Sequence, residues 1–152
     1  MSKDATEILF VEDSEPEIEL TLRALQDQSP GIRIHVARDG EEALQYLAAC
    51  EAAASSGGGG RMPKVMLLDL KLPKVDGHEV LRQTRDNPAT KMVPVVALTS
   101  SNRREDMVEA YLAGVNSYVQ KPVKFDDFRK IVKDLSSYWL GVNQVPSPAF
   151  DS

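Results

Sequence analysis

The sequence predicts a doubly wound α/β fold with a five-stranded parallel sheet, and three observations lead there. Short unbroken apolar runs, Ile8 to Val11 and Val65 to Leu68, read as strands buried on both faces. Between successive strand candidates lie segments with apolar residues at helical spacing. Each run ends in acidic or small polar residues, as the loop rim of such a sheet requires.

The first strand, Ile8 to Val11, stops at Glu12-Asp13-Ser14. Ser14 can cap the following helix, Pro16 suits its first turn, and Ile18, Leu22 and Leu25 mark its inner face. Ser29-Pro30-Gly31 breaks that helix, and Ile32, Ile34 and Val36 alternate with Arg33 and His35 as a less buried second strand would. Asp39 caps a second helix carrying Ala43, Leu44 and Leu47. Residues 51–62 contain four consecutive glycines. No Gly-Lys-Ser/Thr follows them and the strand comes after them, the reverse of a P-loop, so a flexible surface insertion is expected.

Val65 to Leu68 form the third strand, ending in Asp69; Asp76-Gly77 open a helix with Val80 and Leu81 that stops before Asn87-Pro88. Val93 to Leu98 make the fourth strand, broken only by Pro94, and lead into Thr99-Ser100-Ser101. Asn102 is the expected cap of a helix with Val108, Tyr111 and Leu112, closed by Gly114. A fifth strand from Ser117 ends at Gln120-Lys121-Pro122, and Phe128, Ile131, Val132, Leu135 and Trp139 line one stripe of the last helix.

The chain has 152 residues, enough for one domain with a full core. One cysteine, Cys50, excludes an internal disulfide, and with two histidines, His35 and His78, no Cys/His zinc site can be assembled. A net charge of −5 argues against general nucleic-acid affinity. No signal peptide or membrane span precedes Ile8, and a cytoplasmic address is expected.

In a sheet of this kind ligands bind outside the carboxyl ends of the strands. Glu12 and Asp13, Asp69, Thr99 and Lys121 all fall at that rim. Three carboxylates there would repel by about 4 kcal/mol per pair at 4 Å and an effective dielectric near 20. Lys121 and a hard divalent cation relieve that repulsion, and with no His or Cys among the rim residues Mg²⁺ fits best. The set predicts phosphoryl transfer: Asp69 as nucleophile, Lys121 and Mg²⁺ neutralising phosphoryl oxygens, Thr99 donating to one of them. Taken singly, strand-end acids often cap helices and a Lys-Pro step is often a turn. The joint arrangement is the specific signal.

On these residues, with Pro73 and Gly77 after Asp69, residues 6–140 resemble the CheY-like receiver domain of two-component response regulators. The resemblance implies a flavodoxin-like strand order 2-1-3-4-5 and a phosphoacceptor switch rather than an enzyme. It makes Asp69 the phosphoacceptor, Asp13 a direct Mg²⁺ ligand, Glu12 a ligand through water and the Lys71 carbonyl the third protein ligand. Thr99 and Tyr118 become the switch pair, and the Lys121–Pro122 bond is expected cis.

Two features depart from the commonest pattern. Lys71 stands where many receivers carry a shorter or neutral side chain, and the chain continues through Tyr138-Trp139-Leu140 into an apolar, proline-containing end. That ending, with Asp69-Leu70-Lys71-Leu72-Pro73-Lys74, is similar to single-domain regulators paired with phytochrome-type histidine kinases. A receiver domain over 1–140 and a C-terminal arm over 141–152 are expected, with no DNA-binding domain attached. Output then runs through a partner or a homodimer built on the fourth helix, fifth strand, fifth helix and arm, where Trp139, Leu140, Val142, Val145 and Phe150 await cover. An alternative is a haloacid-dehalogenase-like Mg²⁺-dependent phosphatase, which wants a second Asp where Lys71 stands. A flavin-phosphate module is disfavoured by the acids after the first strand.

Overall fold

Parallel pairing places Ile8 beside both Ile34 and Val65, so the first strand lies inside the sheet with a neighbour on each side. The computed structural model describes residues 6–55 and 62–146. Its strands are β1 (Ile8–Val11), β2 (Ile34–Ala37), β3 (Val65–Leu68), β4 (Val95–Thr99) and β5 (Ser117–Gln120). Helices α1 (Glu15–Gln28), α2 (Gly40–Ser55), α3 (Gly77–Asp86), α4 (Arg104–Ala113) and α5 (Phe125–Ser136) alternate with them. The sheet order is β2-β1-β3-β4-β5, as expected.

Strand side chains alternate between the two faces, which divides the core in two. Leu9, Val11, Met66, Leu68, Val95 and Ala97 meet Ala43, Leu47, Val80, Leu81 and Ala110 on the face covered by α2, α3 and α4. Ile8, Phe10, Val65, Leu67, Val96 and Leu98 meet Ile18, Leu25, Phe128 and Val132 from α1 and α5. Burying each such aliphatic side chain is worth about 1.5–3 kcal/mol.

Local chemistry sets most boundaries. The Ser14 side chain accepts from the Glu17 N–H and Pro16 occupies the first turn of α1. Asp76 caps α3 by accepting from Glu79 N–H at 3.0 Å. Gly114 ends α4 at φ +107°, a conformation that costs a residue with a Cβ. Gly77 has a different reason: a Cβ there would lie 2.5 Å from Leu70 Cα and 2.6 Å from the Asp69 carbonyl oxygen. Only glycine lets α3 start against the strand end that carries Asp69.

Several expectations are corrected. Helix α2 runs on through Ser55, because Glu51-Ala52-Ala53-Ala54 are good helix formers, so the insertion expected over 51–62 does not begin at 51. Residues 56–61 lie outside the described residues. Strand β4 begins at Val95, after Pro94, which has no N–H for the ladder. Asn102 does not cap α4. Arg103 holds the cap position without a side-chain bond, while Ser101 Oγ accepts from its N–H at 3.2 Å. The Lys121–Pro122 peptide is not cis.

Helix α4 departs most from expectation. Ala110 is its one buried residue, while Val108, Tyr111 and Leu112, the apolar residues at helical spacing, are exposed, Leu112 at 84%. Helix α5 passes into a π-helical turn over Ser137–Val142, so the helical body ends two residues later than expected. Trp139 and Leu140 are half-buried and pack on the α1–α5 side of the core, leaving the arm to start at Asn143. Phe150 lies outside the described residues.

Candidate functional site

The carboxyl ends of β1, β3, β4 and β5 bring the predicted rim residues together. Register fixes this before any side chain is considered: Asp69 N–H donates to Val11 C=O at 3.0 Å and Lys121 N–H to Thr99 C=O at 2.7 Å. Glu12, Asp13 and Asp69 each offer a carboxylate oxygen, and these oxygens lie within 4.8 Å of one another.

The three acids differ in setting. Glu12 is buried at 2% exposure, Asp69 is half-buried and Asp13 is exposed. Glu12 is also held at both oxygens: Oε1 accepts from Lys121 Nζ at 2.7 Å and Oε2 from Ser14 N–H at 3.2 Å. Burial pushes its carboxyl up to about 7; the Lys121 hydrogen bond opposes the rise and the Asp69 charge adds to it. Burial pulls Lys121 down, but the Glu12 hydrogen bond and the charges of Glu12 and Asp69 outweigh it, so the ammonium sits above its ordinary range.

Asp69 Oδ1 accepts from the Lys71 N–H at 3.1 Å, which fixes the carboxylate over its own loop. Asp69 Oδ2 faces Lys121 Nζ at 3.9 Å, an ionic neighbour rather than a hydrogen-bond partner. The Lys71 side chain is exposed. Thr99 is buried beside these groups, and its Oγ1 accepts from the Ser101 N–H at 3.3 Å. Tyr118 packs against the α2–α4 side of the core and donates its hydroxyl to the Ser101 carbonyl at 3.1 Å. The rim thus holds Glu12, Asp13, Asp69, Thr99 and Lys121 in one place and links Thr99 to Tyr118 through one residue.

Sequence reasoning missed that residue. Ser101 is buried, donates its Oγ to Asp106 and so holds the Asp106 carboxyl below its usual range. It also missed Glu17, whose Oε1 lies 3.1 Å from Lys121 Nζ. The signal for Glu17 was present: it stands in the first turn of the helix that Ser14 caps, directly after the acids that end β1. Beside the rim, Lys71, Asp76, His78, Thr99, Ser101, Asp106 and Glu109 line an open polar groove of about 510 Å³. His78 faces Glu109 at 3.6 Å across it and does not enter the acidic cluster.

Three oxygen donors beside a buried ammonium have the hard-ligand chemistry of a divalent cation site, and the residues present fit such an ion. A carboxylate within that field can act as a phosphoryl acceptor. No helix among the described residues is long and apolar enough to cross a membrane.

Comparison with known proteins points to one family. The family model described as the response regulator receiver domain matches residues 8–133. The probable methanogenesis regulatory protein FilR2 of Methanothrix harundinacea is 43% identical over 148 residues, 97% of this chain and 92% of that protein. Response regulator Rcp1 of Synechocystis sp. is 35% identical over 140 residues, 92% of each chain. Its Mn²⁺-bound crystal structure aligns with a TM-score of 0.78 at 34% identity, over 92% of this chain and 98% of that one. The bacteriophytochrome response regulator AtBRR aligns with a TM-score of 0.69 at 44% identity, over 92% and 99%. None of these supports the haloacid-dehalogenase-like alternative, and Lys71 occupies the place its acid/base Asp would need.

Proposed function

The chain belongs to the response regulator receiver domain family, and from that premise we propose that Asp69 is the phosphoacceptor of a Mg²⁺-dependent switch. Receiver domains are phosphorylated by histidine kinases, so the donor atom is a phosphohistidine nitrogen. The observation that carries the reading is the meeting of Glu12, Asp13 and Asp69 oxygens within 4.8 Å, with Lys121 Nζ 3.9 Å from Asp69.

In the step itself an Asp69 oxygen attacks phosphorus, and the P–N bond of the donor breaks with its electron pair returning to the imidazole. Glu12, Asp13, Asp69 and the Lys71 carbonyl would hold Mg²⁺, which supplies positive charge opposite the phosphoryl oxygens. Lys121 faces the same oxygens from the β5 side. The Lys71 N–H keeps Asp69 oriented. Thr99 can donate its hydroxyl to a phosphoryl oxygen while it accepts from Ser101, and Ser101 passes the displacement to Tyr118.

The proposed kinase is of phytochrome type, supported by the likeness to AtBRR and by the C-terminal ending. The proposed output is a homodimer through α4, β5, α5 and the C-terminal arm, supported by the uncovered apolar side chains of α4. Incubating the protein with acetyl phosphate and Mg²⁺ tests the central claim. Label should enter the wild type and not Asp69→Asn. Asp13→Asn should weaken Mg²⁺ binding more than Glu12→Gln, because only Asp13 is read as a direct ligand.

A further inference from the structure

Phosphoryl transfer to Asp69 gives Lys121 a task that its present bonding does not serve. An ammonium has three donors. Here its close partners are Glu12 at 2.7 Å and Glu17 at 3.1 Å, while Asp69 waits at 3.9 Å. We propose that Glu17 is a positioning residue that holds Lys121 on the α1 side of the site until an incoming phosphoryl group displaces it, and thereby sets the rate at which Asp69 is phosphorylated. This rests on the reading of Asp69 as the phosphoacceptor.

The two close partners are not equivalent. Glu12 is buried and fixed by the Ser14 N–H as well as by Lys121, so it cannot turn away. Glu17 stands in the first turn of α1 with its side chain 42% exposed. Water and the positive end of the helix dipole can take over its charge when Lys121 leaves. Glu17 is therefore the releasable partner. Lys121 is 11% exposed and drawn toward Glu12 and Glu17, so bringing its third donor onto a phosphoryl oxygen at Asp69, now 3.9 Å away, lengthens a carboxylate bond rather than shedding bulk water.

With acetyl phosphate the transfer balances without a proton. An Asp69 oxygen bonds to phosphorus, the bridging P–O bond breaks, and its electron pair leaves with acetate. The charge on the three phosphoryl oxygens needs the ammonium, which gives up the Glu17 bond as it gains one to phosphate. Removing Glu17 removes that exchange.

The test times label incorporation from acetyl phosphate with Mg²⁺ into the full chain. Glu17→Gln should be faster by about two- to fivefold, the scale of a half-exposed ion pair. Glu17→Asp, charged but shorter, should fall between. The gain should shrink from about 0.05 to about 0.5 M salt, because the pair is open to screening. In a Lys121→Gln background the Glu17 substitution should change nothing, measured as rate or as label taken up at a fixed long time. A gain of equal size there would mean simple repulsion of the donor and would overturn the role. An unchanged or slower Glu17→Gln protein would overturn it as well. Label on wild type but not on Asp69→Asn, with no Glu17 effect, would defeat this proposal alone; an unlabelled wild type would defeat both.

Discussion

Lys121 Nζ is bonded to Glu12 Oε1 at 2.7 Å, yet Glu12 is so buried that its carboxyl titrates near 7. The pair joins the rim of the sheet to β5 and makes stability depend on pH. For Glu12 the folded pKa lies above the unfolded value of 4.5, so the folded state holds the proton more tightly. Its contribution is fully present below about pH 4.5 and is lost as pH rises through about 7. Lys121→Met would strip the carboxylate of its cation and push that titration higher still. In metal-free urea unfolding the variant should lose about 1 kcal/mol at pH 5 and about 3 kcal/mol at pH 8, the latter the scale for breaking a buried pair. A gap that does not widen with pH would show that Glu12 is ionised and satisfied without Lys121.

Thr99 and Tyr118 both bond to Ser101, one at its N–H and the other at its carbonyl. Because those are main-chain groups, replacing the Ser101 side chain leaves both bonds possible. Replacing Thr99 does not. Thr99→Ala should still accept phosphate from acetyl phosphate, slower by about two- to tenfold, since one hydrogen bond contributes about 0.5–1.5 kcal/mol. The Tyr118 ring signals, followed by NMR, should shift on phosphorylation in wild type and stay in place in the variant. Equal shifts in both proteins would break the Thr99 link.

Arg85 has four hydrogen bonds and none of them goes to a carboxylate. Its guanidinium donates to the carbonyls of Gly114 at 2.8 Å, Lys91 at 2.9 Å and Val93 at 2.8 Å, and to Asn116 Oδ1 at 2.8 Å. Burial without a counter-ion lowers its pKa from the ordinary value. The side chain ties the end of α3 to the loop before β4 and to the end of α4. Arg85→Ala should cost about 2–4 kcal/mol in denaturant unfolding, because carbonyls lose their donors and a packed stem is removed. Arg85→Lys should recover little of this, since one ammonium cannot span the four acceptors.

The legible parts of this protein were those fixed by strong local rules. Ile8 to Val11 and Val65 to Leu68 could be read because a fully buried parallel strand leaves an apolar run and little else. The acids following them could be read because the fold class says where strand ends point. Arg85 gave no signal, since its partners are backbone carbonyls that carry no sequence signature. The start of α4 was misplaced for a related reason: Ser101 serves it through a side chain already shared with Asp106, and Asn102 has the more obvious cap chemistry. The outward turn of Val108, Tyr111 and Leu112 was illegible because helical spacing shows that residues share a face, and burial of that face depends on a neighbour.

That outward face is the basis of the last prediction. On α4, Met107, Val108, Tyr111 and Leu112 are all exposed, and Phe125 of α5 is 39% exposed. Tyr138, Val142 and Val145 at the C-terminal end are exposed too. Apolar surface of this extent marks a contact, and a two-fold dimer covers the same patch twice. Half-burial of Trp139 and Leu140 on their own domain leaves Tyr138 and the residues from Val142 onward to reach a partner. Leu112 touches solvent over most of its surface, so Leu112→Glu should leave folding unchanged while placing two like charges across the two-fold axis. Light scattering at about 50 μM, well above the Kd of a micromolar dimer, should give a dimer for wild type and a monomer for the variant. A monomeric wild type, tested both before and after incubation with acetyl phosphate, would remove the dimer. If the wild type dimerises and Leu112→Glu does so equally, the contact lies off α4 and the C-terminal residues Val142 and Val145 become the surface to change.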